Sequence, residues 1–160
     1  MIVVLMGVTG AGKTTVGLAL AQQLDWRFAD GDSYHSAANI AKMRAGIPLT
    51  DADRAPWLAS LHDAIVEWLA NGENVVLACS ALKNSYRRLL LVSPAVRLVY
   101  LRADAELIAA RLAERRNHYM NPALIASQFA TLEEPIDAIT VDARLPEEAV
   151  VAGIRRALAL

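Results

Sequence analysis

Cysteine is almost absent from this chain of 160 residues, in which Cys79 is the only one. A single thiol excludes an intrachain disulfide and a zinc site built from several thiolates. An excess of charge is also missing, because 16 lysines and arginines balance 17 aspartates and glutamates and leave a net charge of −1. Without a basic excess to bind a phosphate backbone, the sequence predicts no nucleic-acid partner.

Long apolar runs are missing as well. The longest candidate stretch, residues 89–101, is interrupted by Ser93, Pro94 and Arg97. It therefore falls short of the roughly 18 to 20 apolar residues that a membrane-spanning helix needs. The first residues show neither the basic region nor the small-residue cleavage site of a secretory signal. We therefore expect a cytoplasmic protein with no membrane partner.

Hydrophobic residues make up 55% of the chain and charged residues 21%, which indicates one folded domain over residues 1–160. Short, continuously apolar runs alternate with helical patterns, and such runs are typical of strands buried on both faces of a parallel sheet. The five predicted strands cover residues 2–6, 27–30, 74–79, 96–101 and 138–142. The clearest apolar helix face runs from Trp57 to Leu69. The pattern predicts a three-layer α/β/α fold around a parallel five-stranded sheet.

Residues 7–14 read Gly-Val-Thr-Gly-Ala-Gly-Lys-Thr and match the phosphate-binding loop pattern G-x-x-x-x-G-K-[ST]. The loop stands between a predicted strand and a predicted helix, which is the context that the pattern requires. Its glycines let successive N–H groups turn toward phosphate oxygens, and the helix N-terminus adds a positive dipole. We predict that Lys13 contacts the β- and γ-phosphates of ATP and that Thr14 binds Mg²⁺. The predicted nucleotide-binding residues are Gly7, Thr9, Gly10, Ala11, Gly12, Lys13, Thr14 and Thr15.

Two carboxylates follow the predicted second strand in the segment Asp30-Gly31-Asp32. The carboxyl end of that strand lies beside the phosphate loop in a doubly wound sheet. We assign Asp32 as the base or orienting group for an attacking hydroxyl, and Asp30 as a Mg²⁺ ligand that acts through water. The alternative is a solvated turn, which Asp-Gly-Asp segments form readily.

Beyond the phosphate loop, segments that span nearly the whole chain resemble the P-loop gluconokinases. The matching segments are residues 6–14, 30–35, 39–49, 50–58, 79–83 with Tyr86 and Arg87, and 128–135. The stretches Asp-Arg-Ala-Pro-Trp-Leu and Cys-Ser-Ala-Leu-Lys are far more specific than the phosphate loop. The resemblance implies a nucleoside-monophosphate-kinase-like fold, ATP with Mg²⁺, and phosphorylation of D-gluconate at its terminal hydroxyl. It also implies a homodimer.

An anionic polyol such as gluconate needs one fixed cation and several hydrogen-bonding groups, which we expect from residues 30–58 and their neighbours. Arg54 is our first choice for the carboxylate, because an arginine fork matches a carboxylate better than a lysine does. The other reading of Arg54 is an ion pair with Asp51 or Asp53 at the start of a helix. Two other cations remain alternatives for the carboxylate: Lys83 and Arg87. His35 is a further candidate substrate contact, or else a polar loop residue.

Arginines are concentrated at the end of the helix that precedes residue 118. Arg111 and Arg115 are spaced i, i+4 and share one face. We predict a lid over about residues 111–122 whose arginines close on the triphosphate and stabilise the transition state. The other reading is that these cations stabilise the helix C-terminus. The resemblance places the adenine near the lid base and residues 142–146.

Other functions remain open at this point. A shikimate kinase shares the chain size, the phosphate loop and the acidic pair, but usually carries three glycines where this chain has residues 79–81. A nucleoside monophosphate kinase is a further alternative. A nucleotide-dependent switch belongs to a different class, and the Asp-Gly-Asp pair argues against it because a switch needs no second polar pocket. No Asn-Lys-x-Asp segment is present to read guanine.

Overall fold

The computed structural model of the protein describes residues 1–114 and 121–160. Within these ranges, five parallel strands form one sheet in the order β2-β3-β1-β4-β5. The strands are β1 (Ile2–Met6), β2 (Arg27–Asp30), β3 (Val75–Ala78), β4 (Val96–Arg102) and β5 (Ile139–Asp142). The predicted parallel five-stranded sheet is confirmed.

Helices connect the strands and cover both faces of the sheet. The α-helices of the described ranges are α1 (Lys13–Leu24), α2 (Ala37–Arg44), α3 (Asp51–Ala70), α4 (Asn84–Leu90), α5 (Ala105–Glu114), α6 (Pro122–Thr131) and α7 (Glu147–Leu158). A one-turn 3₁₀ helix, Gly31–Tyr34, follows β2 directly. No helix in the described part of the chain is both long enough and apolar enough to cross a membrane.

The core lies on both sides of β1. Val3 and Leu5 belong to the apolar cluster that includes α1 and α7. Ile2 and Val4 belong to the opposite cluster, with the tryptophans and leucines of α3. Because neighbouring strand residues point to opposite faces, a strand covered on both sides must be apolar at every position. Each fully buried aliphatic side chain of this kind contributes about 1.5 to 3 kcal/mol.

Helix α3 begins six residues before the apolar face that predicts it, and the cause is a capping box. The Thr50 hydroxyl accepts a hydrogen bond from the N–H of Asp53 at 3.1 Å, and the Asp53 carboxylate accepts one from the N–H of Thr50 at 3.0 Å. This reciprocal pair satisfies two backbone N–H groups at the start of the helix, those of Thr50 and Asp53. The extra turn carries Asp51 and Arg54, and so brings both residues to the carboxyl edge of the sheet.

Candidate active site

A cleft of about 830 Å³ opens at the carboxyl ends of β1, β2 and β3. Parallel α/β sheets bind ligands at this edge, where the loops after neighbouring strands diverge. The cleft is lined by the phosphate loop, the acidic segment after β2, the start of α3 and one face of α6. Its polar lining residues include Thr9, Lys13, Thr14, Thr15, Asp30, Asp32, His35, Arg54 and Gln128. Residues that lie far apart in the sequence therefore line one cleft.

The phosphate loop takes a backbone shape that only glycine adopts easily. Gly12 precedes α1 with φ of +99°, in the left-handed region. Gly7 has φ of +150°, and a Cβ atom there would lie 2.8 Å from the carbonyl oxygen of Leu101. The spacing of the glycines is thus explained by the turn itself and by the close approach of β4.

Lys13 folds back over the loop that precedes it. Its ammonium donates hydrogen bonds to the carbonyl oxygens of Gly7 at 2.9 Å and Val8 at 3.0 Å. Burial lowers the pKa of Lys13, while Asp32 is the strongest opposing influence. The lysine is therefore placed within electrostatic reach of the acidic pair on the other side of the cleft.

The acidic pair forms a local turn and also lines the cleft. Oδ1 of Asp30 accepts a hydrogen bond from the N–H of Asp32 at 2.9 Å and caps the 3₁₀ helix. Asp32 is open to solvent in the cleft. The surrounding protein nevertheless raises its pKa, Asp30 adds to this rise, and Lys13 opposes it. The capped turn and the predicted carboxylate pair therefore coexist at these two residues.

Arg54 reaches the cleft from the first turns of α3. Its guanidinium donates to the Tyr86 hydroxyl at 3.2 Å, and Tyr86 in turn donates to Asp51. Lys83 binds the same Asp51 carboxylate at 2.9 and 3.1 Å. Asp53, the other acid near Arg54, is bound by Lys42 instead. Within the described ranges, neither acid forms an ion pair with Arg54.

The structure separates the three candidate cations for the substrate carboxylate. Arg87 is buried, and it donates to the carbonyl oxygens of Ala81 and Leu82 at 2.9 Å each. These two hydrogen bonds stabilise the turn that follows β3. Lys83 is engaged by Asp51, and neither Lys83 nor Arg87 lines the cleft. Arg54 is the one of the three that does.

Gln128 is a lining residue that the sequence patterns did not assign to the site. Its amide oxygen accepts from the N–H of Thr9 at 2.7 Å, and its amide nitrogen donates to the Thr9 hydroxyl at 2.6 Å. These two hydrogen bonds join helix α6 to the phosphate loop, although the two residues are 119 positions apart in the sequence. The one available signal was its place in the segment 128–135, which matches the gluconokinases.

Arg111 contacts the phosphate loop from α5. Its guanidinium donates to the carbonyl oxygen of Gly10 at 3.0 Å, and to that of Ala143 after β5. A second cavity of about 150 Å³ lies beside it, between the start of α1 and the β5–α7 connection. This cavity adjoins residues 142–146, where the adenine is expected. Arg115 and half of the predicted lid, residues 115–120, lie outside the described residues.

Comparison with known proteins identifies relatives over nearly the full chain. Residues 9–154 match the family model described as shikimate kinase. The chain is 43% identical to a probable gluconokinase of Rattus norvegicus, over 98% of this chain and 97% of the rat protein. It is 49% identical to the gluconokinase of Gluconobacter oxydans, over 84% of this chain and 80% of that protein.

A solved structure gives the same picture in three dimensions. A gluconokinase from Sinorhizobium meliloti superposes on this chain with a TM-score of 0.87 and 40% sequence identity. The match covers 98% of this chain and 90% of that one. Sequence and fold therefore agree over the strands and loops that form the cleft.

Proposed function

The chain belongs to the gluconokinases, within the shikimate kinase-like family of P-loop kinases, and on this premise we propose that it transfers the γ-phosphoryl group of ATP to the terminal hydroxyl of D-gluconate. The product is 6-phospho-D-gluconate. One observation carries the proposal beyond the family match: Lys13, Asp32 and Arg54 line a single cleft. That cleft thus offers a phosphate site, a proton acceptor and a fixed cation for a carboxylate.

On the nucleotide side, the N–H groups and side chains of the phosphate loop bind the triphosphate. Lys13 leaves its carbonyl partners Gly7 and Val8 and binds β- and γ-oxygens as a point charge. Arg111 binds beside the loop, and with Arg115 it neutralises charge that spreads over the transferred group. Arg115 forms part of the proposed lid over residues 111–122. This lid closes over the bound triphosphate, and the lid and the cleft belong to one kinase domain.

On the acceptor side, residues 30–58 form most of the wall. Asp32 accepts the proton of the attacking hydroxyl and aims its oxygen at the γ-phosphorus. Arg54 binds the gluconate carboxylate, because its guanidinium lines the cleft without an acidic partner among the described residues. His35 contributes a hydrogen bond to the polyol. The residues position both substrates for in-line transfer, so no covalent intermediate is required.

The donor set suits Mg²⁺. The Thr14 hydroxyl and the Asp30 carboxylate are hard oxygen donors on the same cleft. In the described part of the chain, no three His, Cys, Asp or Glu side chains converge on a metal site. A site with few protein ligands is typical of Mg²⁺, which keeps water and phosphate ligands. When bound, Mg²⁺ would offset the negative charge of the phosphate groups.

The acceptor is tested by ADP release with D-gluconate, shikimate and AMP offered separately. Shikimate is included because a shikimate kinase model matches residues 9–154. We expect ADP release with gluconate well above the other two, and phosphorus coupled to C6 in the NMR spectrum of the product. ADP release that no acceptor stimulates would favour a nucleotide-dependent switch instead.

We propose that the protein works in the cytoplasm as a homodimer and without a nucleic-acid or membrane partner. The balanced charge of the chain supports the absence of a nucleic-acid partner. Sedimentation at several protein concentrations tests the homodimer, and a mass of one chain at all of them would contradict it.

A further inference from the structure

The imidazole of His35 is held on two sides where it lines the cleft. One face stacks on Trp57, with ring centroids 4.3 Å apart and planes 12° apart. The Trp57 ring is itself fixed, because its N–H donates to the carbonyl oxygen of Gly31 at 2.7 Å. On its edge, Nδ1 of His35 lies 3.3 Å from Nδ2 of Asn39. A ring held in this way presents its remaining nitrogen in one direction.

Asn39 determines which nitrogen of His35 carries the proton. Nδ2 of Asn39 lies 2.8 Å from the carbonyl oxygen of Asp53, and that oxygen can only accept. Nδ2 is therefore the amide NH₂ group, which donates and does not accept. Nδ1 of His35 must then be the acceptor of the second N–H. In a neutral imidazole this leaves the proton on Nε2.

Burial supports a neutral ring by lowering the pKa of His35; Asp32 opposes this shift and Arg54 adds to it. Nε2 has no hydrogen-bond partner among residues 1–114 and 121–160. It is not buried either, because Nε of Arg155 is the one buried side-chain nitrogen or oxygen without a partner in those ranges. The N–H of His35 is thus available to a molecule in the cleft.

We propose that Asn39 is a positioning residue that locks His35 in the Nε2–H tautomer, so that His35 donates a fixed hydrogen bond to a hydroxyl oxygen of the sugar acid. This inference rests on the proposed function. It separates two roles on the acceptor wall. Asp32 accepts the proton of the reacting hydroxyl, whereas His35 donates to a hydroxyl that does not react. A locked Nε2–H cannot take up a proton at that atom.

The tautomer is measured by long-range ¹H–¹⁵N NMR of the imidazole in the wild-type protein near pH 7.5, before and after gluconate is added. We expect a protonated Nε2 and an unprotonated Nδ1 in both states. In Asn39→Asp a carboxylate replaces the NH₂ group, and the proton should move to Nδ1 or the ring should become charged. If Asn39→Asp does not fold, the wild-type spectrum still shows which nitrogen of His35 carries the proton and so tests the proposal. A wild type that phosphorylates gluconate but carries the Nδ1–H tautomer overturns this inference and spares the proposed function.

A matched pair of variants tests the donor itself. Glutamine at position 35 places an amide nitrogen as many bonds from Cα as Nε2, whereas asparagine ends one bond short. Both variants lose the stack on Trp57, so packing is matched. We expect His35→Gln to keep KM for gluconate within about threefold and His35→Asn to raise it about tenfold, the size of one neutral hydrogen bond. KM for ATP should not change. An equal rise in KM for gluconate in His35→Gln and His35→Asn would overturn the proposal that His35 donates a hydrogen bond to the substrate.

Discussion

Asp30 accepts a hydrogen bond from the backbone N–H of Asp32 at 2.9 Å, and this contact fixes the Asp30 carboxylate in the turn that also brings Asp32 to the cleft. The proximity of the two carboxylates has an electrostatic cost, because the negative charge of Asp30 disfavours ionisation of Asp32. Desolvation by the surrounding protein, together with the negative charge of Asp30, raises the pKa of Asp32. Asp30 thus helps to raise the pKa of Asp32, the residue proposed to accept the proton of the substrate.

The pH profile should report this coupling. Asp32 must be ionised to act, so kcat/KM should fall as pH drops through its raised pKa. Asp30→Asn removes the neighbouring charge, and we expect the acid limb to move to lower pH whatever happens to the maximal rate. Exposed Asp63 on α3 provides the control, since Asp63→Asn should leave the limb in place. An acid limb unmoved in Asp30→Asn would contradict the coupling.

Tyr86 orients Arg54 by accepting its hydrogen bond while donating to Asp51. In Tyr86→Phe the guanidinium loses this support, and we expect KM for gluconate to rise about fivefold, the effect of about 1 kcal/mol. KM for ATP should stay constant, because the loss lies on the acceptor wall. Steady-state kinetics with each substrate varied in turn make this measurement.

The matched control for Tyr86→Phe is Tyr100→Phe, which deletes a buried tyrosine hydroxyl bound to Glu134 and away from the cleft lining. It should leave both KM values unchanged. A rise in KM for ATP in Tyr86→Phe, or the same rise for gluconate in both variants, would contradict the role of Tyr86.

Gln128 forms hydrogen bonds to Thr9 with both the oxygen and the nitrogen of its side-chain amide. Gln128→Glu keeps the size but cannot donate to the Thr9 hydroxyl, and it adds a negative charge beside the triphosphate. We expect KM for ATP to rise about tenfold, by about 1 to 2 kcal/mol of repulsion and lost hydrogen bonding. Gln22→Glu, at an exposed position of α1, makes the same charge change away from the cleft. Equal KM values for ATP in the two variants would show that the hydrogen bonds between Gln128 and Thr9 do not contribute to nucleotide binding.

The capping box of α3 should contribute to stability. Thr50→Ala removes the hydroxyl that accepts from the N–H of Asp53. We expect the free energy of unfolding to fall by about 1 kcal/mol, as urea denaturation would measure. Thr50→Ser retains a hydroxyl and should lose much less. A Thr50→Ala protein as stable as the wild type would mean that the box contributes nothing.

The parts of the fold and site that sequence predicts are those encoded locally. Residues 2–6 are apolar at every position because both faces of β1 are buried, and residues 7–14 must supply the glycines that the phosphate loop needs. The apolar face of α3 starts at Trp57, six residues after the helix begins, because the first turn is set by a capping box whose signal in the sequence is Thr50 and Asp53 alone.

Contacts between distant segments were not predictable in this way. Nothing in the spacing shows that Lys83 binds Asp51 and so leaves Arg54 facing the cleft. The same holds for Asn39, whose amide reaches both Asp53 and His35, and which reads in sequence as an ordinary polar helix residue. Pairings of this kind depend on how α2 and α3 come together, which a local pattern does not record.

The most direct test of the proposed mechanism compares wild type and Asp32→Asn in one preparation, with kcat measured on gluconate and ATP affinity measured by titration. The substitution keeps the shape of the side chain but removes the proton acceptor. We expect kcat to fall by about 10²- to 10⁴-fold while the Kd for ATP changes little. A near-normal kcat in Asp32→Asn would contradict the assignment of this carboxylate and, with it, the proposed route of phosphoryl transfer.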